Sequence, residues 1–102
     1  MKRYAVVVAP SARRQAENII RWLEENRGTS ETFQGELDGA LTHVSVTPGA
    51  APVYTQSRGR VIRRLLLPRS SHHIYFDVDD QRATVGVMAI WHTSRGQGPE
   101  LT

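Results

Sequence analysis

Two stretches of this chain repeat apolar residues at helical spacing, and four others carry the short apolar or alternating runs of strands. Tyr4–Val8 is apolar on both faces and reads as a buried strand. Ala12, Ala16, Ile19, Ile20 and Leu23 then follow at i, i+4, i+7, i+8 and i+11, which puts them on one helical face. Arg13, Arg14, Glu17, Arg21, Glu24 and Glu25 fall on or near the other. Pro10 suits the first turn, Ser11 is a candidate cap, and Gly28 is placed to end the helix. Phe33, Leu37, Ala40, Leu41 and Val44 repeat the same spacing, with Ser30 as the expected cap and Glu31 in the first turn. So short a connection predicts an antiparallel helix hairpin.

Pro48, Gly49 and Pro52 mark a loop, and Gln56–Gly59 a turn. Arg60–Leu67 reads as a strand stopped by Pro68. His72–Asp79 alternates, with Ile74, Phe76 and Val78 on one face and His73, Tyr75 and Asp77 on the other. In Ala83–Trp91 the alternation sets Val85, Val87, Ala89 and Trp91 against Thr84, Gly86, Met88, Ile90 and His92. Short links make these three an antiparallel meander. The expected fold is α+β in the order β-α-α-β-β-β: a helix hairpin on one face of a mainly antiparallel four-stranded sheet, strand order open. One domain spans residues 1–102, with an irregular tail from Ser94.

Charge changes this picture more than composition does. The chain carries 13 Lys and Arg against 10 Asp and Glu. Yet Gly39–Phe76 contains no acidic residue while holding Arg58, Arg60, Arg63, Arg64, Arg69, His43, His72 and His73. Arginines mounted on strands without carboxylate partners await an anion from outside, either nucleic acid or an acidic protein surface. All cations but Lys2 are arginine, the residue suited to bidentate phosphate and carboxylate recognition. Absence of cysteine excludes disulfides and thiolate metal sites and fits a reducing cytoplasm. The apolar run Ala5–Ala9 is too short for a signal sequence or a membrane span.

Adjacent strand residues diverge, so Arg63 and Arg64 address opposite faces, and His72 and His73 do not pair as metal ligands. One histidine is expected half-buried and the other exposed. No metal and no cofactor are expected. His73, Tyr75 and Asp77 share the face away from the helices, where a polar solvent-facing strand is the ordinary reading. His92, on the face of Thr84 and Met88, is expected beside Tyr75. Trp91 reads as core; Trp22 flanks the apolar face of the first helix.

The segments Val61-Ile62-Arg63-Arg64-Leu65-Leu66-Leu67, His72–Asp79 and Val87-Met88-Ala89-Ile90-Trp91-His92 resemble the three-strand core of the RelE/ParE superfamily of toxin–antitoxin toxins, closer to its ParE side. The resemblance spans nearly the whole chain. It implies a cognate antitoxin as partner in a hetero-oligomer, and DNA gyrase as the target of a toxin that acts by binding. Partner-binding residues would then be Arg60, Arg63, Arg64, Arg69, His73, Tyr75, His92 and Arg95. The alternatives are a RelE-like ribosome-dependent mRNA endonuclease, with His92, Tyr75, Arg64 and Arg95 as its acid–base and phosphate-binding set, or a non-toxic member that only binds antitoxin. RelE-type enzymes often carry a tyrosine near the C-terminus. This chain has none after Tyr75, which favours binding over cutting.

Overall fold

The computed structural model describes residues 2–101. The element order is β1 (Ala5–Val8), α1 (Pro10–Arg27), α2 (Glu31–Val46), a 3₁₀ turn at Pro48–Ala50, β2 (Val53–Ser57), β3 (Arg60–Leu67), β4 (His72–Asp79) and β5 (Thr84–His92). The five strands form one sheet in the order β1-β5-β4-β3-β2. β1 pairs parallel with β5, and every other pairing is antiparallel. The α+β fold with two helices on one face is therefore as the pattern predicts, with a fifth strand added.

That strand lies in the stretch between Pro52 and Arg58 that reads only as loop and turn. Val53–Ser57 is short and mostly exposed, so burial periodicity carries no signal there. What makes it a strand is its turn. Arg58 and Gly59 have φ of 53° and 78°, and Ser57 pairs with Arg60. Positive φ at both central residues is what a two-residue hairpin of type I′ requires. Glycine meets that need freely, and Arg58 meets it at a steric cost.

Capping also differs from expectation. Ala9, not Ser11, occupies the N-cap of α1, and Ser11 lies within the helix. Ser30 does hold the N-cap of α2, but its hydroxyl caps nothing. Instead it donates to Glu24 at 2.9 Å and accepts from Gln34 at 2.8 Å, which ties the end of α1 to the start of α2. Gly28 adopts the left-handed conformation at the end of α1, as expected.

The main core lies between the helices and the sheet. Ala12, Phe33, Ala40 and Val44 meet Leu67, Ile74, Phe76, Val85, Val87 and Ile90, with Ile19, Ile20, Leu23, Leu37 and Leu41 packed around them. Every apolar residue singled out on the two helices joins it. Its burial is the dominant stabilising term, since each fully buried Leu, Ile or Phe contributes about 1.5–3 kcal/mol.

β5 departs from simple alternation. Tyr75 pairs with Ala89 and Phe76 with Val87, so Met88 is the extra residue of a β-bulge. Before the bulge Val85 and Val87 face the helices. After it Ile90 faces them, while Ala89 and Trp91 turn to the opposite side with Ile62 and Tyr75. Trp91 thus packs on a second, smaller cluster rather than beside Val85 and Val87. Leu101 joins the same cluster, so the end of the described chain is packed onto the open face of the sheet.

Candidate functional site: a divided cationic sheet

The open face of β3 and β4 is built by alternation. Arg60, Ile62 and Arg64 project from β3, and His73, Tyr75 and Asp77 from β4, with Arg64 directly opposite Tyr75. Tyr75 is buried, although it points away from the helices, because Tyr54 of β2 stands edge-on to it with ring centroids 4.9 Å apart. The Arg64 guanidinium lies 4.8 Å from the Tyr54 centroid. The tail completes the cover: the Trp91 indole N–H donates to the Gln97 carbonyl at 2.8 Å. A Cβ at Gly98 would stand 2.7 Å from the Tyr54 hydroxyl, so a larger residue there would have to displace the Tyr54 ring. The polar strand face expected here is instead a roofed aromatic patch with cations at its edges.

Arg60 is not free of carboxylates. It reaches Asp77, one residue beyond the acid-free window, at 3.0 Å. His73 is half-buried, and burial first and the Arg64 charge second hold its ring below the ordinary imidazole range. Arg63 leaves this face altogether: its guanidinium donates to the Ala51 carbonyl at 2.6 Å on the helix side. The opposition of Arg63 and Arg64 is therefore as alternation predicts, and Arg63 acts as a brace on the loop before β2.

His92 lies on the other side of the sheet from Tyr75. The bulge at Met88 inverts the alternation, so His92 stands edge-on to His72 at 4.9 Å, on the side where His72 meets Phe33 at 5.1 Å. The Ser94 N–H donates to His92 Nδ1 at 3.0 Å, which makes that nitrogen the acceptor and places the ring proton on Nε2. The expectation of His92 beside Tyr75 fails for this reason. Arg95 folds over the Trp91 ring at 4.1 Å.

His72 is buried, more deeply than a half-exposed pair would be. Burial, reinforced by the neighbouring His92 charge, pushes its ring down to about 4. Arg69 sits in the β3–β4 turn, which Glu36 of α2 anchors by accepting from the Arg69 and Ser70 N–H groups at 2.7 and 2.8 Å. Burial alone would raise the Glu36 carboxyl, but these N–H groups and the Arg69 charge outweigh it and hold the carboxyl below its usual range. Among the described residues no three His, Asp or Glu gather as a metal-ligand group, and no helix is long and apolar enough to cross a membrane.

Of the eight candidates Arg63 braces the loop before β2, and the other seven fall into two groups. Arg60, Arg64, His73 and Tyr75 share the open face. Arg69, His92 and Arg95 surround a cleft at the far end of the sheet, on the helix side. Sequence reasoning missed Tyr54, the residue that roofs Tyr75. The signal for it was the aromatic and β-branched run Val53-Tyr54-Thr55 ahead of Arg58-Gly59.

Residues 6–96 match the family model described as ParE toxin of the type II toxin–antitoxin system, parDE. The fold is similar to a chain of the toxin–antitoxin complex RelBE2 from Mycobacterium tuberculosis, at a TM-score of 0.64 and 16% identity over 93% of this chain and 97% of that one. It is also similar to the isolated E. coli RelE toxin, at 0.61 and 19% over 92% and 88%. A mutant of E. coli RelE in the free state matches at 0.60 and 17% over 90% and 85%. No curated protein sequence gives a significant match.

Proposed function

Because the chain belongs to the ParE toxin family of type II toxin–antitoxin systems, we propose that a cognate antitoxin holds it silent and that, once free, it inhibits DNA gyrase by binding. The reading carries a cytoplasmic location, since its target is there, and needs neither metal nor cofactor.

One observation supports binding over cutting: the acid–base candidates are separated by the sheet. Cleavage through a 2′-hydroxyl needs a proton acceptor, a proton donor and cations around one phosphate. Tyr75 is buried beneath Tyr54, whereas His92 stands edge-on to His72 across the sheet. Of the proposed nuclease set, Arg64 stands opposite Tyr75 and Arg95 lies over Trp91 of the Tyr75 cluster, while His92 does not join them. The open face instead offers what a recognition surface uses: the Arg64 guanidinium on an aromatic platform, half-buried His73 and exposed Leu66. An acidic, amphipathic antitoxin segment fits the same chemistry.

The test is a gyrase supercoiling assay with purified, antitoxin-free protein. Inhibition that is reversed by antitoxin and reduced by Arg64→Ala is expected. Unaffected supercoiling together with transcripts cut at ribosome-bound codons would overturn the reading in favour of an endonuclease. Harmless overexpression without antitoxin would overturn it in favour of a non-toxic member.

A further inference from the structure

On the helix side, away from the Tyr54–Tyr75 patch, a cleft of about 1000 Å³ opens between α1, the start of α2, the β3–β4 turn and the end of β5. Three arginines line it, one from each of three separate segments: Arg27 ends α1, Arg69 sits in the turn, and Arg95 follows β5. No aspartate or glutamate is among the lining residues. The nearby carboxylates are engaged elsewhere, Glu24 with the Ser30 hydroxyl and Glu36 with the turn N–H groups. Such a site concentrates positive potential, which Glu36 offsets only in part through Arg69.

A second, independent feature points to a ligand. His72 is 5% exposed, and its Nδ1 and the buried Oγ of Ser70 make no hydrogen bond of good geometry, the Ser70 backbone and the Glu36 carboxylate being their polar neighbours. Both residues line the cleft. Polar side chains that face an open cleft can bond a ligand there in place of water.

The remaining wall is aromatic and aliphatic. Ile19, Leu23, Phe33 and Ile90 form the apolar part, and Trp22, 53% exposed, stands among them. Thr29, Thr32, Asn18 and Ser94 add hydroxyl and amide groups. Guanidinium groups, a stacking indole and neutral donors and acceptors suit a ligand with a phosphate, a flat ring and a sugar. Its volume of about 1000 Å³ lies at the upper end of the small-molecule range.

We propose that this cleft is a nucleotide site, in which Arg69 and Arg95 take the phosphate and Trp22 stacks on the base. Arginine recognises phosphate through paired donors, and base–indole stacking tolerates any base. The same chemistry comes from two sources, a free nucleoside monophosphate or the 5′-phosphorylated end of a single-stranded RNA. The site is independent of the gyrase reading, and a supercoiling assay does not report on it.

Calorimetric titration of the full-length protein tests it with GMP, AMP, inorganic phosphate and a short 5′-phosphorylated RNA. Both nucleotides are expected to bind more tightly than inorganic phosphate. Arg69→Ala with Arg95→Ala should weaken them by about tenfold to a hundredfold. Trp22→Leu, at a half-exposed position, should erase the advantage of nucleotide over phosphate and leave phosphate binding alone. Arg82→Ala, in the β4–β5 turn, should change nothing. Equal affinity for GMP and the RNA assigns the free nucleotide, and much tighter RNA binding assigns the RNA end; both support the site. No binding of either at about 1 mM, binding indifferent to the arginine and Trp22 variants, or capture of a Glu-rich peptide in place of nucleotides would overturn it.

Discussion

Tyr54 and Tyr75 meet edge to face at 77°, and this contact is what buries the side of the sheet that no helix covers. Such a pair contributes about 0.5–1.5 kcal/mol beyond the area it buries. Tyr54→Ala should destabilise the protein by about 1–3 kcal/mol and speed amide exchange in residues 97–101, because the Gly98 backbone rests on its hydroxyl end. Denaturant unfolding and hydrogen exchange measure the two effects. Unchanged exchange in the tail would mean that Trp91 alone holds it.

Gln15 reaches from α1 to the sheet, its side-chain carbonyl accepting from the Ile90 N–H at 2.8 Å. Parallel pairing with β1 ends at Val87, so this donor lies past the end of the neighbouring strand. Gln15→Leu leaves it without that partner and should lower unfolding free energy by about 1–3 kcal/mol. Gln15→Glu, which keeps an acceptor, should cost less. Urea melts of the two variants side by side would reveal whether the acceptor or only the packing matters.

Arg58 pays the one evident conformational penalty of the β2–β3 hairpin, with φ of 53°. Asparagine accepts that conformation more readily and is favoured at the first position of a type I′ turn. Arg58→Asn should raise stability by about 0.5–1 kcal/mol, read as a higher melting temperature.

His72 makes the fold acid-sensitive. Its folded pKa of about 4 lies below the unfolded value of 6.5, so the unfolded chain binds more protons between those limits. Stability from this group is complete above pH 6.5 and is lost as pH falls toward 4. The groups around it are His92 and Arg95, which disfavour its charge, and Glu36, which favours it. The loss should reach on the order of 2–3 kcal/mol, and depressed His73 adds in the same direction. Melting temperatures from pH 7.5 to 4.5 should fall steeply, and His72→Phe should flatten the slope. A slope untouched by that substitution would assign the effect to other groups.

Glu36 anchors the turn that carries Arg69, and Glu36→Ala should destabilise by about 0.5–1.5 kcal/mol through loss of the bonds to the Arg69 and Ser70 N–H groups. Because its folded pKa is lowered, its contribution is present at neutral pH and disappears only as acid protonates the carboxylate. Double-mutant analysis with Arg69→Ala separates this backbone role from side-chain charge, since only the main-chain N–H of Arg69 is held.

Much of this was open to reading along the chain. Periodicity alone identified the apolar faces of both helices and the separation of Ile74, Phe76 and Val78 from His73, Tyr75 and Asp77. Those are consequences of local geometry, 3.6 residues per turn or two per pleat, and they need no knowledge of neighbours. The strands β3 and β4, and the divergence of Arg63 from Arg64, follow for the same reason.

What tertiary structure decided lies wherever one residue depends on a partner distant in sequence. The bulge at Met88 lies where β5 pairs with β4 on one side and has just left β1 on the other, and no alternation in the text of β5 announces it. It carried His92 away from Tyr75 and so broke up the acid–base set that sequence had placed together. The acid-free arginine window was real, but folding sorted its members: Arg60 to Asp77, Arg63 to a carbonyl, Arg64 to an aromatic ring, and Arg69 to a cleft it shares with Arg27 and Arg95. Sequence determined which residues can face together; long-range packing chose which of them meet, because charge and bonding are settled by distances that the chain order does not contain.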